Sequence, residues 1–243
     1  MTADNPYDAI FSGVIGQDYQ LLKLISPFAA EMSRLVGESV ADVCHQQNQA
    51  QKVVELGGGT GITTLSILSA DERLNVLSID SEPTMQNQAK QSLKAWADNG
   101  RLTFSADDAL TALQLLPAES VDIIASAYTL HNFEAKYRRQ VLMEVYRVLK
   151  SGGWFINGDR YGLDDVDAHT RSIQNEVAGY FKVLIDINRL DVLEHWIIHL
   201  FSDESENHVM REAVALEQLN EVGFAHVELK ARHEVNALVT AVK

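Results

Sequence analysis

The stretch Glu55-Leu56-Gly57-Gly58-Gly59-Thr60-Gly61 sets an acid two residues ahead of four glycines in five positions. Glycine adopts positive φ without strain and lets a ligand lie against the backbone. The turn follows Val53-Val54 and precedes a helical pattern with Ile62, Leu65, Ile67 and Leu68 apolar. This order of strand, glycine turn and helix is the first crossover of a nucleotide-type α/β domain. Spacing removes two phosphate-binding alternatives. In the dinucleotide fingerprint G-x-G-x-x-G, counting from Gly57 puts Ile62 at the third position, and counting from Gly59 puts Thr64 there. The P-loop needs a Gly-Lys-Ser/Thr that does not follow. The pattern present is E-x-G-x-G-x-G.

Other groups with chemistry fall where predicted strands end. Asp80 closes the second strand, and a carboxylate there can accept hydrogen bonds from both hydroxyls of a ribose. Asp107-Asp108 follow the third strand, where either acid could cap the next helix. The fourth strand runs into Ala125-Ser126-Ala127-Tyr128-Thr129-Leu130-His131-Asn132-Phe133. His131 is a candidate general base, because an imidazole titrates near operating pH. The competing reading is a histidine that caps the following helix or bonds a loop carbonyl. Tyr128 either lines a pocket beside it or packs. Arg160 and Tyr161 end the fifth strand, at the carboxyl edge where open α/β sheets bind ligands, and are candidate contacts to a substrate, the competing reading being a surface arginine and a packed tyrosine. His195 and His199, four apart, can share a helix face, but no third ligand is placed by sequence and no metal is expected. Cys44, the single cysteine, excludes an internal disulfide and reads as an inert helix residue.

Alternating strands and helices must position these groups. Asp18 to Gln47 carries apolar residues at helical spacing, among them Leu21, Leu24, Ile25, Phe28, Met32, Val36, Val40 and Val43. Strands are predicted at Lys52–Leu56, Leu74–Ile79, Leu102–Ser105, Val121–Ala125 and from Trp154 to Asn157. Helices are predicted at Pro83–Ala97, opened by proline in its first turn, and at Glu134–Leu149, stopped by Ser151-Gly152-Gly153. After Asp159 the rhythm breaks into a long, charged, helical stretch from Asp164 to about Phe201, read as a lid. A helix at Val209–Glu221 and closing strands near His226–Lys230 and Ala237–Val242 follow. The expected fold is α/β: a Rossmann-like, seven-stranded, mostly parallel sheet with helices on both faces, plus an N-terminal helix and a helical lid. The division is one domain over 1–243, with an N-terminal helical segment to about 50, a core at 51–160 and 207–243, and a lid at 161–206.

Bulk properties narrow the partners. A net charge of −14 disfavours a broad nucleic-acid surface, which rests on clustered Lys and Arg. It favours a small-molecule or protein partner. No run of about 18 apolar residues appears, so no membrane span is expected. The polar, acidic start from Met1 to Asp8 does not read as a signal peptide, and the expected location is cytoplasmic. The N-terminal helix and the lid are the surfaces from which a homodimer could form.

Over about residues 50–160 the chain resembles the class I S-adenosylmethionine-dependent methyltransferases. The resemblance implies S-adenosylmethionine as cofactor and S-adenosylhomocysteine as product. It implies that Glu55 organises the glycine loop and faces the donor's methionine part, which lies against Gly57, Gly59 and Gly61. Asp80 would hold the ribose. Ser81-Glu82-Pro83-Thr84-Met85 is similar to the family's D-x-S-P-x-M region, with Met85 on the adenine. Asp107, with Asp108 beside it, would bond the adenine amino group. Small Ser126 and Ala127 would leave room for the sulfonium. The Asn/Asp-Pro-Pro-Tyr/Phe signature of amino-methylating nucleic-acid enzymes is absent. Gln17 to Leu22, Tyr128-Thr129-Leu130 and Asn236 to Val242 look like the carboxy-S-adenosylmethionine synthase branch, which uses prephenate to carboxylate the donor. There Tyr19 and a lid arginine, nearest Arg189, would hold the added carboxylate. The chain departs from that branch: Arg189 is one position off, the lid is longer, and Ala127 replaces an asparagine. The expectation is methyl transfer to a small-molecule acceptor. Carboxyl transfer from prephenate and a donor- or partner-binding module without catalysis are the alternatives.

Overall fold

Adjacent apolar residues along each inner strand point to opposite faces, and this decides which layer covers each face. The computed structural model describes residues 26–46 and 51–243, with Gln20, Lys23 and Leu24. Strand β1 (Lys52–Leu56) pairs in parallel with β2 (Asn75–Ile79) on one side and β4 (Val121–Ala127) on the other. Val53 and Ile123 enter a core shared with α1 (Pro27–Gln46) and α2 (Ile62–Ala70). Their neighbours Val54 and Ile124 enter the opposite core, shared with α5 (Ala109–Gln114), α6 (Ala135–Val148) and α9 (Glu212–Val222). A strand's side chains point to opposite faces in turn, so two adjacent apolar residues commit it to burial on both faces.

The sheet is completed by β3 (Leu102–Ser105), β5 (Leu149–Arg160), β6 (Ala225–His233) and β7 (Asn236–Val242), in the order β3-β2-β1-β4-β5-β7-β6. Only β7 runs antiparallel to its neighbours, pairing with β5 and β6. The expected seven-stranded, mostly parallel sheet covered on both faces is therefore what the chain forms. The strand order reverses direction between β1 and β4, and a sheet's ligand crevice lies outside the carboxyl ends at such a switch point. Register aligns those ends: Leu56 pairs with Ile79 and with Ser126, and Ser126 pairs with Asn157. The glycine turn, Asp80, the segment after Ala127 and the Asp159-Arg160 pair consequently share one edge.

Several boundaries differ from expectation. Helix α1 opens at Pro27, whose missing N–H costs nothing at the first helical position; Leu21, Ile25 and Gln47 of the expected helix lie outside the described residues. The Pro83–Ala97 helix breaks at Leu93 into α3 (Pro83–Ser92) and α4 (Lys94–Asp98). Helix α5 is additional and is capped by Asp108. The lid is two helices, α7 (Val166–Asp186) and α8 (Leu190–Asp203), and Asn188 turns the chain between them at φ 55°. Tyr180, Leu184, Leu193 and Leu200 form the lid's own small core. Among the described residues no helix is long and apolar enough to cross a membrane. Cys44 is buried, and desolvation pushes its thiol up to about 11, as an inert thiol requires.

Candidate active site

At the end of β1 the backbone turns too tightly for side chains. Gly57 has φ 70°, and a Cβ there would lie 1.9 Å from Thr129 Oγ1. Thr129 is fixed in that place, because its hydroxyl bonds the carbonyls of Leu56 and Ala127 at 3.1 Å each. The glycine turn and the loop after β4 thus touch directly. Gly59, at φ 52°, faces open space: a Cβ there would meet only Met85 Cε, at 3.9 Å. Met85 itself is 45% exposed, a large apolar side chain left uncovered beside the glycine floor.

Glu55 lies below this floor, fully buried. Its Oε2 accepts from Thr64 Oγ1 at 2.6 Å, while Oε1 has no partner among the described residues. Desolvation pushes its carboxyl up to about 7, against the opposing hydroxyls of Thr64 and Ser78. Asp80 ties the loop to the next helix: Gly59 N–H donates to Oδ2 at 2.7 Å and Glu82 N–H to Oδ1 at 2.8 Å. Ser81 is exposed beside it. An unpartnered buried carboxylate oxygen, an open glycine floor, an exposed thioether and a carboxylate at the switch point fit an adenosyl amino-acid donor, the group that the sequence resemblance implies.

The two acids after β3 separate. Asp108 caps α5, accepting from the N–H groups of Leu110 and Thr111, from Thr111 Oγ1 and from Tyr137 Oη. These donors, Thr111 first, pull its carboxyl down to about 2. Asp108 is therefore a helix cap, which corrects its expected role as a donor contact. Asp107 is exposed and bonded only to Ser105, so it keeps acceptor capacity toward the edge.

Beyond β4 the arrangement departs further. Ser126 is fully buried and bonds Asn157, whose Nδ2 donates to Tyr161 Oη at 2.8 Å. Ser126 and Tyr161 are thus linked inside the sheet, not held open for ligands, a correction to both expectations. Ala127, at the end of the strand, is the small residue at the edge. Tyr128 (φ 49°) donates its hydroxyl to Asn236 Oδ1 at 2.6 Å, and burial raises its pKa well above the ordinary value. It is a neutral phenol anchoring β7, which corrects its catalytic role.

His131 neither caps a helix nor bonds a carbonyl. Its Nδ1 lies 2.5 Å from Asp159 Oδ1, with both groups buried. Asp159 also accepts from the N–H groups of Leu130 and Arg160. Desolvation opposes its charge, but His131 and these donors prevail and hold its pKa below the usual value. A carboxylate only accepts, so Nδ1 carries the hydrogen, and the neutral imidazole then has its lone pair on Nε2. Sequence reasoning missed Asp159, although it ends the same strand edge that brought attention to Arg160.

Arg160 is buried and committed to the helices that follow the fifth strand. Its guanidinium forks onto Glu176 of α7 at 2.8 Å and onto Glu204, just past α8, at 2.9 Å. Burial opposes its charge, but the two glutamates raise its pKa well above the ordinary value. His169 Nε2 meets Glu204 at 2.6 Å from the other side. Arg160 is a lid clamp, which corrects the expected substrate contact; its partners, far off in sequence, carried no signal. Arg189 caps α8 at the surface, 45% exposed and paired with Asp191, far from the role of a buried carboxylate clamp. Tyr19 lies outside the described residues.

Residues 53–153 match a family model described as a methyltransferase domain. A carboxy-S-adenosyl-L-methionine synthase of Actinobacillus succinogenes is 25% identical over 185 residues, covering 73% of this chain and 70% of that protein. A demethylmenaquinone methyltransferase of Leptospira interrogans is 31% identical over 107 residues, covering 44% and 42% of the two. In fold, the chain is similar to an O-methyltransferase family protein from Burkholderia thailandensis, with a TM-score of 0.60 at 17% identity over 94% of this chain and 62% of that one. The chain spans about three fifths of the length of the solved structures it matches. Sheet order, switch-point glycine turn, edge carboxylates and these likenesses agree: residues 53–153 match a methyltransferase domain, and the chain is similar to S-adenosylmethionine-dependent methyltransferases.

Proposed function

We propose that this protein transfers the methyl group of S-adenosylmethionine to a small-molecule acceptor bearing a hydroxyl or other proton-carrying nucleophile. The observation that carries the reading is the shared edge on which Glu55, Gly57, Gly59, Asp80, Met85 and Asp107 meet the buried His131–Asp159 pair. The first set suits a donor. Asp80 would hold the ribose, Met85 and Asp107 the adenine, and Gly57 to Gly61 the amino-acid part. The donor supplies an electrophilic methyl carbon on a sulfonium.

The chain's own residues supply position and a base. Asp159 fixes the His131 tautomer so that Nε2 can take the acceptor's proton. Holding two reactants in place accounts for much of such a rate, up to about 7–11 kcal/mol of barrier. Arg160 binds α7 and the end of α8 to the sheet edge, so that the lid excludes water. Carboxyl transfer from prephenate, suggested by relatives named carboxy-S-adenosyl-L-methionine synthase, is the weaker reading, because Arg189 pairs with Asp191 at the surface. A binding module without catalysis would have no use for an oriented histidine.

Mass spectrometry separates the readings. Protein incubated with S-adenosylmethionine and prephenate should return the donor unmodified. The same protein with a panel of small phenols and amines should release S-adenosylhomocysteine only with an acceptor present. A carboxylated donor that disappears in Arg189→Ala would overturn methyl transfer.

A further inference from the structure

On the side of His131 away from Asp159, a second set of groups converges that methyl transfer does not require. Asp203, the last residue of α8, puts Oδ2 3.8 Å from His131 Nε2 and Oδ1 3.6 Å from His199 Nε2. One donor atom from each of these residues lies within 4.8 Å of the other two. The two histidine separations exceed hydrogen-bond length. They run to different oxygens of the carboxylate and exceed by a few tenths of an ångström the edge of a tetrahedron built on bonds of about 2.0–2.1 Å, which is roughly 3.3–3.4 Å. Arg160 Nε also lies 3.8 Å from Asp203, but its terminal nitrogens are committed to Glu176 and Glu204. Among the described residues the Asp203 side chain has no hydrogen-bonded partner, although only 6% of the residue is exposed.

We propose that His131, His199 and Asp203 form a binding site for a divalent first-row transition ion such as Zn2+, at the joint between lid and sheet edge. The donor set, two imidazoles and one carboxylate, is the one that leaves a fourth position open on zinc. Orientation is already supplied: Asp159 holds His131 Nδ1 and so aims Nε2 at the site, as a carboxylate behind a metal-bound imidazole does. A void of about 10 Å³, enough for about one water, lies beside two of the three, lined by His131 and Asp203 together with Arg160, His169 and Glu204. Charge points the same way. Asp159, Asp203, Glu176 and Glu204 face Arg160 and the nearby Arg138, an excess of carboxylates over guanidiniums that a dication would offset.

The site goes beyond the proposed methyl transfer and does not depend on it. A bound ion takes the same His131 lone pair that would receive an acceptor's proton. Zinc and turnover therefore compete, and zinc should inhibit methyl transfer until chelated. The decisive readout needs no turnover. Chelator-stripped full-length protein is titrated with ZnCl2 by calorimetry, passed through gel filtration and assayed for retained metal, with MgCl2 in parallel. One zinc per chain should be retained, and magnesium should not bind, because it prefers oxygen ligands. His199→Ala and Asp203→Asn should each abolish retention. Asp159→Asn should weaken binding by roughly 10–100-fold, the usual cost of losing an outer partner. His195→Ala is the control, because His195 and His199 stack four residues apart and could hold zinc on the helix surface. No retained zinc would overturn the proposal. So would zinc binding that His195→Ala removes and Asp203→Asn leaves intact.

Discussion

Replacing Glu55 by glutamine isolates the buried carboxyl beneath the glycine floor. Desolvation raises its pKa from an ordinary 4.5 to about 7, so the folded protein holds a proton that the unfolded chain releases near its ordinary value. A raised folded pKa contributes stability that is fully present below about 4.5 and is lost as pH climbs through about 7. At 1.36 kcal/mol per pH unit, wild-type protein should lose about 3 kcal/mol across that window from this group. Glu55→Gln keeps the shape and removes the titration. Urea unfolding at pH 5, 6, 7 and 8 should show this window in the wild type and a flatter profile in the variant. The carboxylate also couples to ligand: a cationic donor beside it favours ionisation, so binding near pH 7 should expel up to about half a proton per donor. Donor titration in two buffers of different ionisation enthalpy measures this, and Glu55→Gln should abolish it. Equal pH dependence in both proteins would refute the claim that Glu55 is a proton reservoir under the donor.

Other changes reach other parts of the site. Gly57→Ala puts a methyl against Thr129 at a positive φ, costing about 1–2 kcal/mol for the backbone and about as much again for displaced Thr129 hydrogen bonds; a loss below about 1 kcal/mol in denaturant midpoint would contradict the geometry. Asp159→Asn should lower kcat by about a hundredfold or more while leaving donor affinity intact, because the His131 tautomer is released; an unchanged kcat would show that His131 is not the base. Arg160→Met leaves Glu176 and Glu204 without their cation and should destabilise lid docking by about 2–4 kcal/mol. Hydrogen exchange in α7 and α8 should rise, and unchanged protection would refute the clamp.

The residues proposed to hold the donor were legible as a group in the sequence, and those around His131 were not, for a physical reason. Glu55, Gly57, Gly59, Asp80 and Asp107 work through local geometry, a strand end and a turn, and local geometry shows in spacing. The Val53-Val54 doublet likewise announced a buried strand, and the two residues enter opposite cores. Arg160 and its partners Glu176 and Glu204 are separated by 16 and 44 residues, and His131 from Asp203 by more. No periodicity reports which way a lid helix folds back. Ser126 and Tyr161 misled because position at a strand's end does not say whether a side chain faces the ligand or a neighbouring strand, and Asn157 had already claimed both.

The central claim, a donor held at the glycine turn with its ribose on Asp80, is tested most directly by calorimetric titration of S-adenosylmethionine into wild-type protein and Asp80→Ala. Hydrogen bonds to a charged acceptor contribute about 1.5–3 kcal/mol each, so losing the carboxylate should weaken binding by at least about tenfold. The account predicts one donor per chain at micromolar affinity in the wild type and that loss in the variant. No heat of binding in the wild type, or equal affinity in both proteins, would contradict it.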